Sequence, residues 1–513
     1  MTGQLASLPP ELLSQIVSHI DPIADKASLA HLALTNRQFR ALVTPTLYHT
    51  VCLGDIAIRE TDLASQEKDI VSRQKYYAIR QKHAVTGLLA FLRTVLASPD
   101  DLAPLVRSIQ TKAGTWIDKE PLLGLVLEYG PRNPLLQAWE AVAVRGADND
   151  MDPDGYWGQH AHVLAALLLP RIHTLHCSGF SGIGSPEGLE VLKGVVEKMA
   201  PEPGSAPPFW KDLTDVEFNG VWDKYPPDLD GVAYFAARWP KLKRIYTAGY
   251  IDTDEPALEG FQSLQPAASS LESLVFGPWS QVCHENLNAL LQVPQALLGS
   301  ASLHLFVRLR SWIPFQTDEL QKSLEHQKDS LQELSVTHSY YNFDLSEEDD
   351  IDPMSFVKFT ALRVLEISLA FVFGGDVVCY DEGTVHRLKD IDDPSEAQQR
   401  DCAERLLEML PESLETIRFA QCGDEWTTRL LDSALLRVLE TCAERVPRLR
   451  TIEVHVYQGM EEAIVKGGGP LLEKSFQAAK AAGLGVEVVY GSRLCVEDPY
   501  DMENYHSRFE MGL

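Results

Sequence analysis

The chain has 513 residues, 45% of them hydrophobic, and its 73 acidic against 45 basic side chains leave a net charge of −28. That composition belongs to a folded chain, not a disordered one. The acidic surplus repels phosphate backbones and anionic lipid, which argues against nucleic acid and membranes as main partners. The eight cysteines are scattered, with no C-x-x-C pair. The N-terminus lacks a signal-peptide pattern, and Asn286 to Val307 is too polar to span a bilayer. The expectation is an intracellular protein, cytoplasmic or nuclear.

The first fifty residues stand apart. They carry three acids and three bases, so the whole surplus of negative charge lies beyond them. Leu8, Leu12, Leu13, Ile16, Val17 and Ile20 recur at helical spacing, with Pro9 and Pro10 in the first turn. Asp21-Pro22 ends this stripe. A second carries Leu29, Leu32 and Ala33. Thr35 and Gln38 have capping-box spacing for a third helix, which Pro45 is expected to stop. A segment of this size rarely closes its own core, so it must leave apolar surface for a neighbour.

These residues carry a resemblance. Leu8-Pro9, Glu11-Leu12-Leu13, Ile16, the Leu29/Leu32/Leu34 series, Arg37-x-Phe39-Arg40 and Pro45-x-Leu47-Tyr48 are together similar to an F-box, particularly the form seen in filamentous fungi. Phe39 stands where many members carry Trp. The resemblance implies three helices docking on the Skp-type adaptor of SCF ubiquitin ligases and, through it, on a cullin. Leu8, Pro9, Leu12, Leu13 and Ile16 are the implied adaptor contacts. Leu29, Leu32, Phe39 and Leu42 join them as contacts or as packing between the helices.

Beyond the box a short pattern recurs, apolar-x-x-apolar-x-apolar. It reads Val106-Ile109-Thr111, Ile172-Leu175-Cys177, Leu213-Val216-Phe218, Leu242-Ile245-Thr247 and Leu271-Leu274-Phe276. It continues as Leu331-Leu334-Val336, Leu362-Leu365-Ile367, Leu414-Ile417-Phe419 and Leu449-Ile452-Val454, with degraded copies at Ser300-Leu303-Leu305 and Gly483-Val486-Val488. From 213 to 362 the starts step by 29, 29, 29, 31 and 31. Helical stretches fill the gaps, among them Val85–Val95, Leu189–Met199, Val232–Arg238, Glu319–Gln327, Ala403–Leu410 and Leu430–Arg445. Helix, proline, then L-x-x-L-x-L resembles a leucine-rich repeat. One such unit cannot bury its apolar edge, but stacked units share a core along a parallel sheet. Residues between the apolar positions then line the opposite face. His176, Glu217, Asn219, Tyr246, Arg418 and His455 on that face are the candidates for holding a protein target.

Three stretches break the period, near 112–165, 180–210 and 374–400. Residues 347–404 hold 15 acids and 5 bases, and EEDDID at 347–352 and DIDDPSE at 390–396 read as solvated acidic loops. Asp150, Asp152, Asp154 and Gly155 imitate an EF-hand start, but Ala161 stands where its Glu is needed. His173, His176 and Cys177 fall in one strand pattern and read as structural, so no metal is expected. Gly179, Gly182 and Gly184 partly imitate a dinucleotide turn, though the spacing is G-x-x-G-x-G and no cofactor is expected.

The expected fold class is α/β: a three-helix F-box at 1–50, a helical linker and the start of the array at 51–105, a leucine-rich-repeat-like solenoid of parallel strands at 106–495, and a tail at 496–513. The resemblance implies a non-catalytic substrate-recognition subunit of an SCF-type ligase. The alternatives are an interaction scaffold without ubiquitin transfer, and a nucleotide-binding enzyme built on the Gly179–Gly184 turn.

Overall fold

In the computed structural model of the chain, the described residues are 9–20, 25–35, 37–53, 70–111, 117–146, 157–178, 186–200, 206–219, 234–236, 238–248, 271–276, 303–309, 317–338, 353–373, 395–422, 425–456 and 472–490. The chain divides into two compact units, one of residues 1–247 with 262–270 and one of 248–261 with 271–513.

The first unit opens with three helices, α1 (Pro10–Ser18), α2 (Lys26–Thr35) and α3 (Arg37–His49). Val17, Leu29 and Val43, one from each, meet in a buried cluster completed by Ile20, Leu32, Ala33 and Leu47. Two expectations are corrected here. Thr35 is the last residue of α2, and its hydroxyl donates to the Leu32 carbonyl at 2.7 Å instead of capping the next helix. Pro45 lies inside α3. Its missing N–H forfeits one bond, to the turn of Ala41, which is exposed and open to water.

Strand β1 (Thr50–Leu53) follows α3 directly. Then come α4 (Ile70–Ala97), β2 (Ser108–Thr111), α5 (Lys119–Tyr129), α6 (Pro134–Gly146), α7 (Trp157–Leu167), β3 (Thr174–Ser178), α8 (Pro186–Met199), β4 (Asp215–Asn219) and β5 (Arg244–Ala248). The strands lie side by side in chain order. Pairing is parallel, with Val51 opposite Ile109, Ile109 opposite Leu175 and Leu175 opposite Val216. The recurring apolar positions are thus one continuous row, as stacking requires. The interruption near 112–165 holds α5, α6 and α7. Leu122, Leu125, Leu136, Trp139 and Trp157 are buried there, so those aromatics belong to a core that period counting does not see.

A second regularity sits three residues before the first apolar position in five of the repeats. The amide of Leu213 donates to the Trp210 carbonyl and that of Leu242 to the Trp239 carbonyl, both at 3.0 Å. Val106 to Ala103, Leu414 to Pro411 and Leu449 to Val446 repeat the turn. Trp210 and Trp239 pack with Phe235, whose ring lies 4.7 Å from Trp239 and 6.3 Å from Trp210. Trp210 adopts φ 53°, a left-handed conformation unfavourable for a bulky residue. Its fully buried ring and the bond from its indole N–H to the Ala166 carbonyl at 2.9 Å hold it there.

The second unit contains β6 (Ser273–Phe276), β7 (Leu303–Leu309), α9 (Thr317–Glu325), β8 (Leu331–His338), β9 (Val364–Ser368), α10 (Leu369–Phe373), α11 (Glu396–Met409), β10 (Thr416–Cys422), α12 (Glu425–Arg445), β11 (Thr451–Val456), α13 (Glu473–Ala481) and β12 (Gly485–Tyr490). Its strands are again parallel and in chain order. Leu274 faces Leu305, which faces Leu334. The degraded copy therefore uses Leu305 and Val307, two residues later than the expected Leu303 and Leu305. A shift of two keeps every side chain on its face, so alternation alone could not detect it. Helix α11 starts from a capping box, with the Gln398 amide on the Ser395 hydroxyl and the Ser395 amide on the Gln398 side chain. Among the described residues no helix is long and apolar enough to cross a membrane.

Two stability predictions follow from the first unit. His162 is fully buried with neither ring nitrogen bonded, and the buried His160 lacks a partner for Nδ1. Burial pushes both from the ordinary 6.5 down to about 4. The unfolded chain therefore takes up the extra protons, and stability falls as pH drops from about 6.5 toward about 4, by about 3 kcal/mol per histidine at most. Denaturant titrations across that window should show the loss, and His162→Phe should make it shallower. Separately, a Cβ on Gly194 of α8 would stand 2.7 Å from Val142 Cγ1 of α6. Gly194→Ala should cost about 1–3 kcal/mol by overpacking, and Val142→Ala should restore part of it in the double variant.

Candidate functional site

The N-terminal helices present one candidate surface. On α1, Leu13 and Val17 point into the core while Leu12 and Ile16 stay 46% and 42% exposed. The two pairs arise because neighbouring residues are about 100° apart on a helix and residues four apart share a face. Pro9 caps the helix and is exposed, so Pro9, Leu12 and Ile16 make one apolar stripe. Leu34, near the end of α2, is 83% exposed. Of the other expected contacts, Leu29 and Phe39 are buried, and Leu32 packs on the core cluster. Leu42 is half-buried. Leu8 lies outside the described residues.

The second candidate surface is the polar face of the strands. In the first unit Cys52, Gln110, His176 and Glu217 stand in register across β1 to β4. Cys52 Sγ donates to Gln110 Oε1 at 3.2 Å, and His176 Nδ1 meets Glu217 Oε2 at 2.5 Å. Glu217 and Tyr246 are buried. Asn219 pairs with Ser178 at the strand ends.

In the second unit Ser335, Glu366, Arg418 and Glu453 occupy successive strands in register. Arg418 bridges two carboxylates, with Nη1 on Glu333 at 3.2 Å and Nε on Glu453 at 3.0 Å. His455 is buried, its Nε2 3.3 Å from Glu453 and its Nδ1 3.9 Å from Glu366. The geometry therefore brings Arg418 and His455 together through Glu453. Glu333 was absent from the sequence-based candidates, although it lies two residues before Ser335 and alternation places it on the same face. These groups chiefly satisfy one another, as buried polar groups must.

Among the described residues no group of three or more side chains is arranged to hold a metal ion. Cys177 is buried, which pushes its thiol well above the ordinary range and leaves it unreactive. The Gly179–Gly184 turn, the Asp150–Gly155 segment and the acidic run 347–352 lie outside the described residues, as does 390–394. Ser395 and Glu396, read as loop, instead open α11.

Residues 5–54 match the F-box-like family, and the chain carries an F-box-like domain there. The match takes in α1, α2, α3 and β1. No curated protein matches the chain.

The Arg418 bridge generates its own prediction. Arg418→Met leaves Glu333 and Glu453 facing each other without a cation. It should destabilise the chain by about 1–3 kcal/mol, measured by chemical denaturation. Adding Glu333→Gln and Glu453→Gln should recover most of the loss.

Proposed function

We propose that the chain is the substrate-recognition subunit of an SCF-type ubiquitin ligase and performs no bond chemistry itself. The observation that carries this reading is the F-box-like match at residues 5–54, together with the apolar stripe of Pro9, Leu12 and Ile16 that the three-helix core leaves uncovered. F-box domains generally bind Skp-type adaptors, and an exposed aliphatic stripe on a neutral segment suits such an interface. Leu12 and Ile16 would touch the adaptor. Leu13, Leu29 and Phe39 would hold the helices that present them.

The strands and helices beyond the box are, in this reading, an irregular leucine-rich-repeat-like solenoid that holds a protein target. Parallel strands in chain order and turns repeated at equivalent positions support it. The ligase would gain rate by raising the effective concentration of target lysines near a ubiquitin-charged enzyme on the cullin scaffold.

Wild-type chain should co-elute with a Skp-type adaptor on size exclusion. Leu12→Asp with Ile16→Asp should abolish co-elution while leaving thermal unfolding of the chain unchanged, because both side chains are exposed. Leu13→Asp, which buries a charge, should instead unfold the helices. Undiminished adaptor binding by the Leu12/Ile16 variant would remove this stripe from the interface.

A further inference from the structure

The residues leading into the strands of the first unit form a strip of their own. The Arg107 amide donates to the His49 carbonyl. The Arg107 carbonyl accepts from His173 and Thr174, the His173 carbonyl from Thr214 and Asp215, and the Thr214 carbonyl from Lys243 and Arg244. These bonds set His49, Arg107, His173, Thr214 and Lys243 side by side across β1 to β5. The first apolar residue of each repeat is buried, while its neighbours Arg171 and His173, or Lys241 and Lys243, are exposed.

The strip is basic in a chain of net charge −28. It holds Arg107, Arg171, Lys211, Lys241, Lys243 and Arg244 against Asp212 and Asp215, six cations to two carboxylates. Lys241 pairs with Asp212 at 2.7 Å and Arg244 pairs with Asp215. Arg107, Arg171 and Lys211 pair with no carboxylate among the described residues, and Arg107 Nη1 rests on the Arg171 carbonyl at 3.3 Å. The charges share one neighbourhood. Asp212 is held below the usual carboxylate range by the bond from Lys241, and further by His173 and Arg107. His49 is lowered by burial, then by Arg107 and His173.

At the equivalent positions around Leu271, Leu331, Leu362, Leu414 and Leu449 the second unit carries Arg363, Arg448 and Arg450 against Glu272, Asp329, Glu333, Glu412 and Glu415, three cations to five carboxylates among the described residues. Arg363 makes a two-pronged pair with Glu415 at 3.0 and 2.9 Å, and Arg448 and Arg450 act on the same carboxylate. The surplus in the first unit is therefore a property of its residues, not of the strand geometry.

We infer that the strip formed by Arg107, Arg171, His173 and Lys211 at the leading edge of β2 to β4 binds a short carboxylate-rich segment of a partner protein. Three strands at about 4.8 Å apart set these residues within about 10 Å along the strip, which an extended peptide of about three residues spans, so a hexapeptide covers them with residues to spare. A short acidic segment fits better than nucleic acid, because a long polyanion would also meet the acidic remainder of the chain. The inference is independent of adaptor binding, since none of these residues belongs to the Pro9–Leu12–Ile16 stripe.

The test is fluorescence anisotropy of a labelled hexaglutamate peptide against the full chain at low salt. The wild type should bind, and Arg107→Ser/Arg171→Ser/Lys211→Ser should weaken binding at least about tenfold, the order expected for losing three charge contacts. A control with the same charge change elsewhere, Arg400→Ser/Arg437→Ser/Lys480→Ser, should bind as the wild type does. Arg171 and Lys211 are exposed and Arg107 is half-buried, so the melting temperature of the Arg107/Arg171/Lys211 variant should fall by no more than a few degrees, and the chain should remain folded at the assay temperature. Absence of wild-type binding, equal loss in both triple variants, or tighter binding of hexathymidylate than of the peptide would overturn the proposal. Adaptor co-elution of the Arg107/Arg171/Lys211 variant should persist, which separates failure of this strip from failure of the F-box reading.

Discussion

Strands β3, β4, β5, β10 and β11 are each held from one side by the carbonyl of the residue that leads into the strand before it. Arg107 supplies that carbonyl to β3, His173 to β4 and Thr214 to β5, and in the second unit Arg363 serves β10 and Glu415 serves β11. Strands of four to eight residues have little stability alone. The lateral bonds fix their register, and register decides the rest. One row of Leu, Ile and Val becomes core, the row between becomes a polar ladder, and the residues flanking the first leucine are turned outward. Each layer is thus a consequence of pairing, not a separate design.

This explains what was legible in the amino-acid sequence. The apolar triplets were visible because burial demands aliphatic residues at two fixed offsets, and Ile109, Leu175, Val216, Leu365, Ile417 and Ile452 do stand in register. The copy near 300 was misplaced by two residues because alternation has period two and carries no longer memory. Only pairing of Leu305 with Leu334 settles it. Strand β1 escaped notice because Val51 and Leu53 immediately follow α3, and one pattern hid behind the other. Helices α5 to α7 escaped because a period of about thirty residues has no place for them, although Trp139 and Trp157 were already conspicuous.

The candidate surfaces differ in how far composition can reveal them. On α1 the adjacent pairs Leu12-Leu13 and Ile16-Val17 are chemically alike, so no sequence pattern separates the face that packs from the face left open. The separation comes from Leu29 and Val43, which approach from α2 and α3 and cover Val17. On the polar face the reverse holds. His176, Glu217, Arg418 and His455 read as a mixed surface awaiting a ligand, yet across the strands they meet as His176–Glu217 and as Glu333–Arg418–Glu453–His455. Residues forty or eighty positions apart cannot be paired on paper without register.

The flanking positions obey a third logic. A side chain beside the first leucine is exposed, and an exposed ion pair contributes only about 0–1 kcal/mol. Folding therefore places almost no demand on charge there. Arg363–Glu415 and Lys241–Asp212 show that neighbouring repeats accommodate a pair at such positions. Arg107 and Arg171 show that such positions equally accommodate cations with no carboxylate partner among the described residues. Positions fixed in space by pairing yet nearly neutral for stability are where a stacked protein can vary its surface without disturbing its core. In a strongly acidic chain, a row of cations retained at those positions needs a cause outside folding, and recognition of negative charge supplies one.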